Sequence, residues 1–375
     1  MDISILESLQ TPVYLMEEAK LEANLRLLEH VQLESGAKVL LALKGFAFSG
    51  AMEMVGQYLH GCCASGLHEA HYAHEMVGKE VHTYSPAFKD EEIDAIIALS
   101  HHLVFNSFGQ WEKYREKALG KVSCGLRINP EVSASPTEMY NPCASYSRLG
   151  ITESAFREDL LEGIEGLHFH ALCEESADAL EEVLAGFEAK FGRYIARMRW
   201  VNFGGGHHIT RAGYDVDKLI ALIKAFRERY GVEVYLEPGE AVGWQTGVLV
   251  ASVLDIVHNG IDIAILDTSA EAHMPDTILM PYRAEVRGAG KAGEKSYTYR
   301  LAGNTCLAGD VMGDYAFDEP LQIGDKIVFE DQIHYTIVKN STFNGIKLPD
   351  LALLQKDGRL KTVRRFGYEE YARRN

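Results

Sequence analysis

Eight short β-rich runs, most followed by an amphipathic stretch, fill the sequence up to about residue 240. Five lie near 38–44 (KVLLALK), 61–65 (GCCAS), 80–86 (EVHTYSP), 102–106 (HLVFN) and 122–129 (VSCGLRIN). Three more lie near 164–172 (IEGLHFHAL), 198–203 (MRWVNF) and 232–237 (VEVYLE). Stretches such as DEEIDAIIALS and DVDKLIALIKAFRERYG place apolar residues at helical spacing between them. Eight such units are the number that closes a parallel (β/α)8 barrel. The expected fold class is α/β, with a TIM-like barrel over residues 16–243.

After about residue 245 the rhythm changes. GVLVASVLDIVHN, IDIAILDTS, YRAEVRG, KSYTYRLAG and DKIVFEDQIHYTIVKN are strand-like, are joined by turns and carry little helix. They predict a second, mostly antiparallel β domain of sandwich or barrel type. TPVYLMEE is also strand-like and precedes the first helical stretch, so residues 1–15 are expected to join 244–375 in that domain.

The 375 residues leave room for a sizeable core. No window of eighteen apolar residues occurs and the first residues lack a signal-peptide pattern, which predicts a soluble, cytoplasmic protein without a membrane partner. Six cysteines, with Cys62 and Cys63 adjacent, have no disulfide-framework spacing and fit a reducing compartment. A net charge of −17 argues against nucleic acid and anionic membranes and is compatible with a cationic substrate.

In a barrel the chemistry sits at the C-terminal strand ends. Here those ends read Lys44, Ser65, Asn106, Asn129, His170, Gly204–Gly205–Gly206 and Glu237. A lysine closing an apolar strand is unusual, and a desolvated lysine is a nucleophilic amine suited to Schiff-base chemistry. The triple glycine lets a backbone approach a phosphate without Cβ obstruction, at the strand position where barrels commonly bind one. It does not match a dinucleotide or P-loop motif. Amine, phosphate loop and strand-end carboxylate together describe pyridoxal phosphate, with Glu237 keeping the pyridine nitrogen protonated and His170 lying against the ring. HEAHYAH (His68, His71, His74) is read as a decorated helix, and no metal is expected.

These motifs resemble, in order and over essentially the whole chain, the alanine-racemase-fold (fold type III) pyridoxal phosphate decarboxylases, which include ornithine and diaminopimelate decarboxylases. ALKGF is similar to the family's cofactor-lysine strand and CCASGLHE to its second-strand segment with Ser65. YSRLGI is similar to the segment contributing Arg148, HFH to the ring-stacking histidine, FGGG to the phosphate loop and LEPGE to the Glu-Pro-Gly segment with Gly239. GNTCLAGD resembles the loop that enters a neighbouring subunit's site. That likeness implies a homodimer with shared active sites, in which Cys306 protonates the reacting carbon and Asp310 acts beside it. HYTIVKNSTFNG implies a phosphate-binding Tyr335 and a substrate-facing Phe343.

Three departures narrow the substrate. Cys62 replaces an acidic residue, ALCEE replaces a Gly-Ser after HFH, and Glu240 stands where the ornithine and diaminopimelate branches carry arginine. EAHMPDT, CLAGD and LEPGE together resemble the branch acting on carboxylated polyamines. The implied substrate is carboxynorspermidine or carboxyspermidine, a cation with one α-carboxylate, held by Glu240, His273, Asp276, Asp310 and Phe343. The alternatives are decarboxylation of diaminopimelate, ornithine or lysine, and a non-catalytic relative that binds polyamine or a partner.

Overall fold

The computed structural model describes residues 3–133 and 138–375. Met1 and Asp2, placed by the sequence in the second domain, lie outside the described residues. The chain forms two compact units.

The unit made of Ala23–Phe46 and Met52–Val242 holds the barrel. Its strands are β2 (Lys38–Ala42), β3 (Gly61–Ala64), β4 (Glu80–Tyr84), β5 (His102–Phe105), β6 (Ser123–Arg127), β7 (Gly166–His168), β8 (Trp200–Asn202) and β9 (Glu233–Leu236). Each pairs in parallel with the next, and β9 closes on β2 through Lys38↔Tyr235 and Val39↔Leu236. All eight coincide with the expected runs, each shortened at its C-terminal end where the chain turns into the loops of the mouth.

The surrounding helices follow from local chemistry. Ser176 caps Ala177–Ile195 by accepting from the Ala179 amide, and the helix buries Leu180, Val183, Leu184, Phe187 and Phe191. Asp215 caps Val216–Tyr230 in the same way, and Gly231 ends it at φ 68°. Inside the barrel, Leu40, Val104, Trp200 and Tyr235 pack as one cluster. Gly166 makes room for the indole, since a Cβ there would sit 2.1 Å from Trp200 ring atoms.

The second unit comprises Met1–Glu22, Ala47–Ala51 and Gly243–Asn375. Residues 16–22, expected in the barrel, cluster here because β1 (Val13–Glu17) lies between β10 (Gly247–His258) and β16 (Asp350–Leu354). The remaining strands are β11 (Asp262–Leu266), β12 (Gly290–Lys291), β13 (Tyr297–Ala302), β14 (Val311–Phe317), β15 (Lys326–Glu330) and β17 (Leu360–Arg364). They form a nine-stranded, mostly antiparallel sheet in the order β12-β14-β13-β11-β10-β1-β16-β17, with β15 also on β10. The N-terminal strand thus joins the C-terminal sheet, as TPVYLMEE predicted.

Two readings are corrected. YRAEVRG forms no strand and contributes one isolated bridge, Val286↔Phe329. HYTIVKN does not extend β15: Tyr335–Val338 is a helical turn in which Thr336 Oγ1 donates to Gln332 Oε1. β-branched residues suggest a strand, but the segment closes instead into a turn in which the Lys339 amide donates to the Tyr335 carbonyl. β14 is not among the expected strands, and Gly313 and Asp314 interrupt its apolar pattern. Pairing to β13 overrides this by setting Asp314 opposite Arg300 in a bidentate ion pair at 2.7 and 3.0 Å. No helix among the described residues is long and apolar enough to cross a membrane.

Candidate active site

Lys44 leaves β2 through a tight turn in which the Gly45 amide donates to the Ala42 carbonyl at 2.9 Å. Gly45 lies against the segment after β9, where a Cβ would meet Gly239 Cα at 2.9 Å and the Glu240 nitrogen at 3.0 Å. The lysine and the Glu-Pro-Gly-Glu corner are therefore packed backbone to backbone. The Lys44 side chain is accessible because it faces an open cleft, yet it stands among barrel-mouth walls. Loss of bulk water pushes its amine below the ordinary lysine value, assisted by the Arg127 cation and opposed by Cys63 and Glu237.

Glu237 ends β9. Its Oε1 accepts from Asn202 Nδ2 at 2.7 Å, and His168 Nε2 faces Oε2 at 3.3 Å. Burial alone would raise this carboxyl, but His168, His82 and Asn202 bring it down to about 2. The folded state thus favours the ionised form. That contribution is present above the ordinary carboxyl range and is lost only as pH falls through about 2. At neutral pH Glu237 is a fixed negative charge.

His170 follows β7, and its Nδ1 accepts from the Gly205 amide at 2.9 Å. Burial, with Lys44 and Arg127 nearby, pushes it well below the ordinary histidine value, so the ring is neutral. The glycines are needed for close approach. A Cβ on Gly204 would lie 2.3 Å from the Phe169 carbonyl oxygen, and one on Gly206, at φ 85°, 2.1 Å from that of Leu172. The amides of this turn are the donors that the sequence offers to a phosphate. Gly204 N–H donates to Asn202 Oδ1 at 2.8 Å and Gly205 N–H to His170, so two are engaged within the protein.

A cleft of about 400 Å³ opens beside these groups, lined by Lys44, Arg127, Arg148 and His170. Arg148 is exposed in a turn held by Asn106, which donates to the Arg148 carbonyl and accepts from the Gly150 amide. Ser65 is exposed directly after β3, its amide bonded to Glu69. Sequence reasoning missed three residues of this mouth. His168 and His170 share one strand face at i, i+2, which HFH already implied. Asn202 ends β8 and carries no motif that marks it in the sequence. Arg127, buried with its guanidinium 4.5 Å from the Tyr84 ring centroid, was passed over for Asn129, whose side chain instead caps its own turn at Glu131.

In the sheet unit, Cys306 is exposed, and its amide donates to Asn344 Oδ1 at 2.7 Å. Phe343 is exposed at 40 %, and Tyr335 is half-buried at the start of its helical turn. Three substrate candidates are otherwise employed. Asp310 is buried and saturated: Oδ1 accepts from Ser269 Oγ and the Ala270 amide, and Oδ2 from the Thr305 hydroxyl and amide. It shapes the loop bearing Cys306 and offers no free oxygen to a cation. His273 is fully buried beside Thr268 and pushed down to about 3 by burial. Asp276 holds Lys339 Nζ at 2.8 Å through both oxygens. By contrast Glu271, not singled out in the sequence, has a buried Oε2 without a partner among the described residues, and burial and Asp310 push its carboxyl up.

A depressed lysine amine in the field of an ionised strand-end carboxylate suits the barrel enzymes that carry pyridoxal phosphate. The glycine turn that no Cβ would fit and the neutral His170 agree with that cofactor. The family model for the pyridoxal-dependent decarboxylases, described by their C-terminal sheet domain, matches residues 14–332, and the chain belongs to that family. It is 62% identical to a carboxynorspermidine/carboxyspermidine decarboxylase of Campylobacter jejuni, covering 98% of this chain and 99% of that one. A carboxyaminopropylagmatine decarboxylase of Synechocystis is 46% identical over 98% of this chain and 96% of its own. The crystal structure of carboxynorspermidine decarboxylase from Campylobacter jejuni, complexed with norspermidine, superposes with a TM-score of 0.93 at 61% identity, covering 98% of this chain and all of the other.

Proposed function

We propose that the protein removes the α-carboxylate of carboxynorspermidine or carboxyspermidine, releasing norspermidine or spermidine. The observation that carries this reading is the 62% identity across nearly the full length of both chains. A guanidinium-tailed substrate is the second reading, favoured by the 46% identical relative. Glu240, where other branches carry arginine, suits either cationic tail. The thiols, unpaired in the structure, suit a reducing compartment, and the cytoplasm is proposed.

Lys44 would hold the cofactor, the Gly204–Gly206 turn and Gly239 would receive its phosphate, and Ser65, Arg148 and Tyr335 would add further contacts. Bound pyridoxal phosphate supplies an electron sink for the pair left behind when carbon dioxide departs. The depressed Lys44 amine is the nucleophile of attachment and re-attachment. Glu237 presents a fixed negative charge that retains a proton on a ring nitrogen set against it. His170, kept neutral, offers a flat wall that does not compete for that charge. Cys306, exposed on a loop set by Asp310 and Asn344, delivers the proton to the reacting carbon, in a homodimer where each loop serves the other subunit. Glu240 receives an ammonium group of the tail, because a desolvated cation is costly unless an acceptor meets it. Supplied with carboxynorspermidine, the holoenzyme should release one carbon dioxide per norspermidine formed. Substrate loss without carbon dioxide would overturn a decarboxylation.

His168 and Asn202 position and charge Glu237 without touching substrate. His168→Leu should raise the Glu237 carboxyl, so cofactor occupancy and kcat fall on the acid side while KM changes little. The loss should be about tenfold or more, the scale of one hydrogen bond to a charged group. His168→Gln, which restores an N–H donor, should recover part of it. A pH profile superimposable on the parent's would remove His168 from this role.

A further inference from the structure

At the N-terminal ends of β3, β4 and β5, opposite the strand ends that carry Lys44, four titratable side chains converge. Strand pairing brings them together: Gly61 is in register with Glu80, which sets His60 beside it, and His82 is in register with His102. Glu80 and His82, two apart on one strand, share its inner face. We propose that Glu80, His82 and His102 form a binding site for one zinc-class divalent cation at the barrel floor, with His60 in reach as a fourth ligand.

The donor set is the first argument. His Nε2 and carboxylate oxygen are the ligands that such cations take in four-coordinate sites. The ligand atoms of Glu80, His82 and His102 all lie within 4.8 Å of one another. Glu80 Oε1 is 2.8 Å from His82 Nε2 and 3.5 Å from His102 Nε2, and Oε2 is 2.6 Å from His60 Nε2. Ligands at about 2.0–2.1 Å from a tetrahedral ion stand about 3.3 Å apart, a value those first two distances bracket.

The second argument is what protons alone leave undone. Oε1 already accepts from His82 and, at 3.0 Å, from the Tyr235 hydroxyl. His102 Nε2, at 3.5 Å, stops short of a normal hydrogen bond to it. The two rings stack with centroids 3.9 Å apart, which disfavours two imidazolium cations. Burial pushes both down, His102 to about 2, so lone pairs are available. Burial opposes ionisation of Glu80, yet hydrogen bonds from His60 and His82 hold its carboxyl far below the ordinary range. No lysine or arginine pairs with this anion among the described residues. Lys38, the nearby cation, is taken by Glu233 at 2.9 Å and the Tyr235 hydroxyl at 3.1 Å. A small cation placed among these donors would engage the carboxylate and the imidazole nitrogens together. Entry is open from the floor, since the His60 side chain is 38% exposed and that of Glu80 17%.

Cobalt(II) is the probe, added to chelator-treated holoenzyme. The expected result is one tightly bound cobalt per chain, with the visible bands of a four-coordinate ion and displacement by zinc. Glu80→Gln should weaken binding by roughly 100-fold or more while decarboxylation by the metal-free enzyme persists. His60→Ala, at the most exposed of the four positions, should change the bands and lower affinity even if Glu80→Gln folds poorly. Absence of a stoichiometric site would overturn the proposal and leave a hydrogen-bonded cluster only. So would binding unchanged in both variants, which would place the metal on exposed His68, His71 and His74.

Discussion

Lys44→Ala protein should come off a column colourless, without the visible absorbance of bound cofactor, and its turnover should fall roughly 10⁴-fold or more, the scale on which removing a covalent catalyst acts. The reason is local. The Lys44 amine is pushed toward its neutral, nucleophilic form by the mouth of the barrel, with Glu237 as the fixed anion beside it. Lys44→Arg should be equally inactive, because a guanidinium keeps the charge and cannot be deprotonated. Mixing Lys44→Ala with Cys306→Ala subunits should restore part of the activity if sites are shared between subunits. No recovery, once exchange is demonstrated, would count against a shared site. A normal spectrum in Lys44→Ala would refute the cofactor assignment.

Glu240→Arg is the second large effect. It turns an acceptor for an ammonium into a like charge, at a corner whose backbone packs against the Lys44–Gly45 turn. The kcat/KM for carboxynorspermidine should fall roughly 10²- to 10³-fold, about 2.7–4 kcal/mol of transition-state stabilisation. Cofactor absorbance should be retained, because the cofactor is assigned to Lys44, the Gly204–Gly206 turn, Gly239 and Glu237 and not to the Glu240 carboxylate. Unchanged turnover would remove Glu240 from substrate binding.

The barrel was legible because each strand is a short apolar run ended by a polar residue of the mouth, and the parallel pairing is local to successive units. The sheet was less so. β14 carries Gly313 and Asp314 and becomes a strand through Arg300 on its neighbour, a partner that periodicity cannot see. The site divides in the same way. Residues whose chemistry is odd for their position, such as Lys44, Glu237 and His170, stood out in the sequence. His168, Asn202 and Arg127 did not, since their importance lies in what they touch. Asp310 and His273 show the converse: polar residues in a suggestive motif that the fold uses internally. The Glu80 cluster was equally hidden, because its members come from separate strands and meet only through register.

The most direct measurement is a competition. Carboxynorspermidine, carboxyspermidine, carboxyaminopropylagmatine, diaminopimelate, ornithine and lysine, at equal concentration in one mixture with limiting holoenzyme, are followed by the amines produced. Norspermidine and spermidine should appear first and carry most of the carbon dioxide released, with cadaverine and putrescine absent until those substrates are exhausted. Preferential formation of lysine from diaminopimelate, or of putrescine from ornithine, would contradict the account.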